Sequence, residues 1–349
     1  MRFEKGVTMN KQTILFLSQA DLYRAGVLDY RRAVEIAEKA IVDYSRGKIL
    51  FPDKISQVFD QETQNRINCL PATLTEEKVC GVKWISVFPP NPKLNGLNNT
   101  NAVMILSSIV DGTNLAFMDG NVCSNLRTAT INAVAAKYLS VPDTETIGFV
   151  GAGTQARSAF CAIKSLYPSI KTCYIASRTA ATEQDFADCF AEKYPDVDFV
   201  CCEADYQKAV ENSQIIVSAI SGQSPIIKAD WIPDGALYLH TGGWEDEYAV
   251  PLKANKIVCD QWHAVKHRSQ TLSRMYQEEL LHDEDIYCDL DKLITGKRPG
   301  RENGKEFIYF NAVGLSYVDV ALAYGAYKTC VEQGIGTQLN IHTEDNLYY

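Results

Sequence analysis

Thr146-Ile-Gly-Phe-Val-Gly151-Ala-Gly153-Thr-Gln155-Ala-Arg157 is the stretch on which the fold turns. Thr146–Val150 reads as a short apolar strand, Gly151–Gly153 as a tight turn and Gln155–Leu166 as a helix. A Gly-x-Gly alone carries little. Directly after a strand and at the mouth of a helix, it has the context that a dinucleotide-binding turn requires. Gly151 permits the turn, and Gly153 lets the backbone come close to a diphosphate. Thr154, Gln155 and Ala156 open the helix, whose first N–H groups and positive dipole end favour phosphate. Ala156 stands where a third glycine is usual, and its methyl is small enough for close helix–strand contact.

Downstream, Thr172–Ala176, Phe199–Cys202, Ile215–Ala219, Ala236–His240 and Lys256–Cys259 are further strand candidates, with helical patterns between the earlier ones. Strand alternating with helix predicts a parallel sheet, here a Rossmann domain. The second strand runs into Ser177-Arg178-Thr179. NAD sites usually place a carboxylate there for the ribose 2′-hydroxyl, and it would repel a 2′-phosphate. An arginine instead pairs with phosphate through two parallel bonds. This predicts NADP(H) as the preferred cofactor, with NAD(H) possible; the plainer alternative is a solvated surface arginine. Ser218, Ala219 and Ile220, at the end of another strand, complete the expected cofactor-binding set.

Upstream, Thr13–Leu17 reads as a strand and Asp29–Arg46 as an amphipathic helix stopped by Gly47. Strands at Ile55–Phe59, Arg66–Leu70, Val79–Val87, Ala102–Ile109 and Leu115–Met118 suggest a mixed or antiparallel sheet. An Ala- and Thr-rich helix covers Asn121 to Tyr138. A last helix, Asp319–Gln333, is expected to return to this first domain. The expected division is 1–125 with 316–349 as a substrate-binding and dimerisation domain, and 126–315 as the dinucleotide-binding domain.

The length of 349 residues suits two domains. A net charge of −9 repels phosphate backbones and argues against nucleic acid as a partner. No apolar run approaches ~18 residues, so no membrane span is expected. The apolar piece Ile14–Leu17 is too short for a secretion signal, and Met9 is an alternative start. The 11 cysteines have irregular spacing and no C-x-x-C, which reads as buried thiols in a reducing, cytoplasmic compartment. His263 and His267 lie four apart on an expected helix with no evident third ligand, so no metal site is expected. His240 ends a strand of the parallel sheet, either as a buried, hydrogen-bonded histidine or as an acid–base group. The tail Asn346–Tyr349 is expected to fray or to pack across a dimer.

Four stretches together resemble the ornithine cyclodeaminase/mu-crystallin family. They are Gly81-Val-Lys83-Trp-Ile with Pro90-Asn-Pro92 and Gly96-Leu97; Leu126-Arg127-Thr128-Ala129; Gly151-Ala-Gly153-Thr-Gln155; and Gly296-Lys-Arg-Pro299-Gly-Arg301 with Asn311-Ala-Val-Gly314 and Asp319. The resemblance covers roughly Asp53 to Leu339. It implies a Rossmann domain inserted into a split α/β domain that dimerises and holds substrate, with the active site between the two. It also implies roles. Lys83 matches the family lysine at the reacting carbon, and Arg127 the arginine that grips the substrate carboxylate. Lys54 lies where another carboxylate ligand is placed, and Thr128 matches a residue near the cofactor phosphates.

Elementary chemistry agrees. A carboxylate suits a planar bidentate guanidinium. A carbon that exchanges hydride beside nitrogen suits a nearby acid such as Lys83. The chain departs from the cyclodeaminase pattern at Thr241-Gly242-Gly243-Trp244-Glu245-Asp246-Glu247, where Trp244 takes the place of an essential aspartate. Glu245 or Asp246 supplies the carboxylate from a shifted backbone, or this is a solvated acidic loop. The expected activity is an NAD(P)-dependent oxidoreductase acting on the CH–NH group of an amino acid, cyclic imine or N-substituted amino acid. The catalytic candidates are Lys83 and Glu245. A cyclodeaminase with bound NAD and a non-catalytic NADPH-dependent binder are the alternatives.

Overall fold

The computed structural model describes residues 12–60, 62–220 and 222–342. The expectations for Met1–Asn10 and Asn346–Tyr349 lie outside the described residues. The chain divides into two compact units. One comprises Met1–Leu28, Gly47–Ser124 and Ser316–Tyr349, and the other Asp29–Arg46 and Asn125–Leu315. The helix Tyr30–Ser45 groups with the second unit.

The first unit is built on an eight-stranded mixed sheet. Its long strands Arg66–Leu74, Val79–Val87 and Thr100–Ser108 pair antiparallel along their lengths, and Gln12–Leu17 lies parallel to Asn114–Asp119. Inward positions alternate with half-buried ones, as the two-residue period of a one-sided sheet demands. Val79, Gly81 and Lys83 share the buried face with Met104, Leu106 and Met118. The helix Ser316–Gln333 packs on the strands Arg66–Leu74 and Val79–Val87. It comes so close that a Cβ on Gly81 would meet Val320 at 3.0 Å and Leu106 at 2.8 Å.

The second unit is built on an eight-stranded sheet in which every pairing is parallel. Thr146–Val150 is an interior strand, between Thr172–Ala176 and Ile215–Ser218. Thr146–Val150 and Ile215–Ser218 are buried almost throughout, on both faces, which is why they read as continuous apolar runs. Phe149, Phe160 and Phe186 pack ring against ring over one region of the sheet. A Cβ on Gly148 would fall 2.2 Å from the Ala209 carbonyl, so this strand glycine lets the helix Tyr206–Glu211 approach.

Two of the differences from expectation bear on the site. Ile308–Asn311, to which the sequence reading assigned no element, is a fully buried strand inserted between Leu237–His240 and Lys256–Cys259. Trp244–Asp246 is not a solvated acidic loop. It is a short strand paired with Gln223–Ile227, and Glu245 and Asp246 are both fully buried. Among the described residues no helix is long and apolar enough to cross a membrane.

Candidate active site

The dinucleotide turn follows from its glycines. Gly151 has φ +107°, a conformation that L side chains rarely adopt. A Cβ there would also meet the Ala219 carbonyl oxygen and Ile220 Cγ2, each at 2.7 Å. Its N–H donates to the Ala176 carbonyl at 2.8 Å and pins the turn to the neighbouring strand. Gly153 differs. Its φ is −79°, and a Cβ on it would point into open space. Gly153 also caps the helix Thr154–Leu166 without a side-chain hydrogen bond, and Gly153 and Thr154 are exposed. The first amides of a thirteen-residue helix therefore face a clear volume, the arrangement that takes an anion. The residues present fit a dinucleotide diphosphate. Ala156 is fully buried, as its packing role requires. The Gln155 side chain is committed to Asn125 Oδ1 at 2.9 Å, so its backbone is what it offers to phosphate.

At the end of the second strand, Ser177 is buried while Arg178 and Thr179 are exposed. Ser177 Oγ donates to the Thr179 carbonyl at 3.0 Å, shaping the turn rather than facing outward. Glu183, unremarked in the sequence, organises this edge. Its buried carboxylate accepts N–H bonds from Ser177 (2.8 Å), Glu203 (2.7 Å) and Ala204 (2.9 Å). The only local signal for it was an acidic residue in a first helical turn.

Arg127 and Thr128 are half-buried on the helix Asn121–Leu139. The Arg127 guanidinium packs against Gly314, where a Cβ would lie 2.3 Å from Nη1. Asp260 accepts N–H bonds from Val313 (3.0 Å) and Gly314 (2.7 Å), fixing that backbone. Burial lifts the Asp260 carboxyl to about 6, although these amides and the Arg127 charge pull the other way.

In the first unit Lys83 is 1% exposed. Its Nζ lies 2.7 Å from Asp319 Oδ1 and 3.3 Å from Ser124 Oγ. A buried ammonium requires such a partner. Asp319 was legible only as part of a motif, and Ser124 not at all. Lys54 is half-buried just before the strand Ile55–Val58.

A third group gathers at the ends of the parallel strands. Glu245 Oε1 accepts from Ser218 Oγ at 2.8 Å and lies 3.5 Å from His240 Nε2. His240 Nδ1 lies 2.8 Å from Asn311 Oδ1, and Nε2 3.3 Å from Asp246 Oδ1. Asp246 also accepts from Thr271 Oγ1 and from the Tyr309 hydroxyl, the latter at 2.9 Å. Burial raises the Glu245 carboxyl, with His240 opposing and Asp246 adding to the effect. Both readings of His240 gain something here: it is buried and hydrogen-bonded, and it is also an ionisable group among carboxylates. His263 and His267 are exposed, with rings 5.4 Å apart. No group of three or more metal-ligating side chains is assembled among the described residues.

The chain is 25% identical over 338 residues to the N-((2S)-2-amino-2-carboxyethyl)-L-glutamate dehydrogenase of Staphylococcus aureus, covering 96% of this chain and 100% of that one. It superposes on the Thermococcus litoralis Delta(1)-pyrroline-2-carboxylate reductase in complex with NADH and L-proline with a TM-score of 0.88 at 27% identity, covering 93% of this chain and 99% of that chain. An archaeal alanine dehydrogenase dimer with bound NAD matches with a TM-score of 0.87 at 26% identity, over 95% and 100% of the respective chains. The ornithine cyclodeaminase/mu-crystallin family model matches residues 15–334, and the chain belongs to that family.

Proposed function

We propose that this protein is an NAD(P)-dependent oxidoreductase acting on the CH–NH group of an amino acid, a cyclic imine or an N-substituted amino acid. The observation that carries the reading is a fully buried lysine–aspartate pair, Lys83–Asp319, in a chain that also presents an uncapped helix N-terminus behind Gly153. When bound, the nicotinamide gives or takes the hydride. The chain's own residues do the rest. The N–H groups of Gly153, Thr154 and Gln155 hold the diphosphate, with Gly151 and Ala156 shaping the turn and Thr128 assisting. Ser218, Ala219 and Ile220 back the nicotinamide end. Arg127 and Lys54 hold the substrate carboxylate. Lys83 polarises or protonates at the reacting centre, and Glu245 supports the site from behind Ser218.

The cofactor preference we assign is NADP(H). Arg178 and Thr179 are the exposed residues at the end of the second strand, while Ser177 is buried. A homodimer is supported by the sheet of the first unit. Pro71, Val82, Ile105, Phe117 and Phe16 form one cross-strand apolar row, half-buried throughout, beside a 42% exposed Trp84. A cytoplasmic location fits eleven free thiols.

Purified protein tests the reading. Released nucleotide is identified, and nicotinamide absorbance is followed with amino acids in one direction and with cyclic imines, or 2-oxo acids plus amines, in the other. Substrate-dependent absorbance change is expected. Ornithine converted to proline and ammonia with no net change would favour the cyclodeaminase, and nucleotide binding without turnover the binder. Arg178→Ala should weaken NADPH binding about tenfold or more and NADH little; equal losses would remove the NADP(H) preference.

A further inference from the structure

The ends of three neighbouring strands lie in register, Ser218 beside His240 and His240 beside Asn311. This row adjoins the dinucleotide turn. Ala219 N–H donates to the Val150 carbonyl at 2.9 Å, and Ala219 and Ile220 occupy the space that a Cβ on Gly151 would need. The chain after His240 folds back over the same place. A Cβ on Gly242 would fall 2.0 Å from Glu245 Oε1 and 2.4 Å from the Ile220 carbonyl oxygen. The Glu245 carboxylate, Ile220 and Gly151 are thus one continuous packing unit.

Hydrogen bonds fix the histidine. Gln270 Nε2 donates to the carbonyls of Gly242 (2.8 Å) and Ala312 (3.2 Å), which turns its oxygen toward Asn311 Nδ2 at 2.9 Å. Asn311 Oδ1 then faces His240 Nδ1, so that nitrogen carries a proton. The other ring nitrogen lies within 3.5 Å of two carboxylates. Two buried carboxylates without a cation would repel, and one would take up a proton or move. An imidazolium between them removes that conflict.

We propose that His240 is a positioning residue of the dinucleotide site: held by Asn311 and set against Glu245 and Asp246, it keeps the Glu245 carboxylate on Ser218 and so keeps the Ser218–Ile220 edge against the Gly151 turn. The proposal rests on the dinucleotide reading above. Every titratable group around the ring bears on its charge. Glu245 and Asp246 face it from the strand Trp244–Asp246, Tyr309 from the adjacent strand with rings 5.7 Å apart, and Tyr238 from its own strand at 6.1 Å. The neighbours Ser218, Thr271 and Asn311 are uncharged. Burial alone would lower the imidazole, but Glu245 and then Asp246 outweigh it and raise it to about 9. Above that pH the two carboxylates lose their counter-charge, and the Ser218–Ile220 edge loses its brace.

The test is fluorescence titration of the full chain with NADH and NADPH from pH 7 to pH 10, with circular dichroism at each pH. Wild type is compared with His240→Gln and with the His240→Gln/Glu245→Gln double variant. The double variant retains hydrogen-bonding groups at both positions but has no charge there to titrate. Wild-type affinity should fall about tenfold or more across the range, and the double variant by less than about threefold. His240→Gln alone should bind weakly throughout. A flat wild-type profile, or an equal fall in wild type and double variant, overturns the role of His240 alone. Folded wild type that binds neither nucleotide at pH 7 overturns the dinucleotide reading and the proposal with it.

Discussion

A β-carbon on Gly314 would stand 2.3 Å from Arg127 Nη1 and 2.7 Å from its Cζ. Gly314 also has φ +101°, in the left-handed region. One glycine thus meets two demands, a backbone turn and a seat for the guanidinium, while Asp260 anchors its N–H. The run Asn311-Ala-Val-Gly314 joins the His240 network at one end to the Arg127 seat at the other.

Gly314→Ala should therefore displace Arg127 without touching the dinucleotide turn. The expected result is a rise in KM for the carboxylate substrate of about tenfold or more, with NADH affinity within about twofold of wild type. Backbone strain of about 1–3 kcal/mol should lower the melting temperature. Steady-state kinetics and a cofactor titration separate the two effects; unchanged KM would show that Arg127 does not grip the substrate.

Gly151 and Gly153 should behave differently on replacement by alanine. At Gly153 the methyl enters open space with an ordinary φ, so stability should change by no more than about 0.5 kcal/mol. Cofactor affinity should nonetheless fall about tenfold or more, because the methyl occupies the space above the helix amides. Gly151→Ala meets Ala219 and Ile220 at 2.7 Å and should lose stability as well as binding. Thermal melts and nucleotide titrations on both variants decide it, and full affinity in a stable Gly153→Ala would place the diphosphate elsewhere.

What could be read from the chain and what could not follows from the range of the interactions. The turn at Gly151 is local: strand, glycines and helix adjoin in sequence, and they form Thr146–Val150 and Thr154–Leu166. Ile308–Asn311 was missed although it is as short and apolar as strands that were read, because it follows the loop-like Gly296–Gly304 stretch, outside the strand–helix alternation that marked the others. The Lys83–Asp319 contact joins residues 236 apart, and no spacing rule reaches that far. Glu245 and Asp246 look like a solvated acidic stretch by composition. Their burial depends on His240 and Tyr309, brought in by the sheet, and on Thr271, from the start of the helix Thr271–Gln277.

Removing the charge of Asp319 should strand the Lys83 ammonium in the interior. Asp319→Asn is expected to cost on the order of 3–5 kcal/mol, the range for breaking one side of a buried pair. The double replacement Lys83→Met/Asp319→Leu should recover most of that stability and no activity. Denaturant unfolding together with turnover tests this. Substantial activity in the double variant would remove Lys83 from the chemistry.

Trp84 offers the clearest probe of assembly. It is 42% exposed beside the apolar row of the first unit's sheet, on the face opposite Lys83. Trp84→Glu puts a charge where a second copy would bury an aromatic ring, so the dimer should weaken by about 2 kcal/mol or more. Sedimentation over a concentration series should find wild type dimeric and the variant shifted toward monomer. A monomeric wild type would end the homodimer reading.

Stability itself should depend on pH through His240. Its folded value, about 9, lies above the ordinary 6.5 of an unfolded histidine. The native state therefore binds the proton more tightly than the unfolded chain, and the contribution is fully present below about pH 6.5. It is lost as the pH rises through about 9, with a total on the order of a few kcal/mol. Glu245 acts in the same sense in a lower window. Its raised carboxyl favours the native state most in acid, and that advantage declines as the pH climbs above the unfolded value of 4.5. Urea unfolding from pH 6 to pH 10 should show wild type losing stability toward the alkaline end. The His240→Gln/Glu245→Gln double variant, with no charge to titrate at either position, should stay nearly level across the same range. Parallel curves for the two proteins would mean that the imidazole carries no charge in the native state.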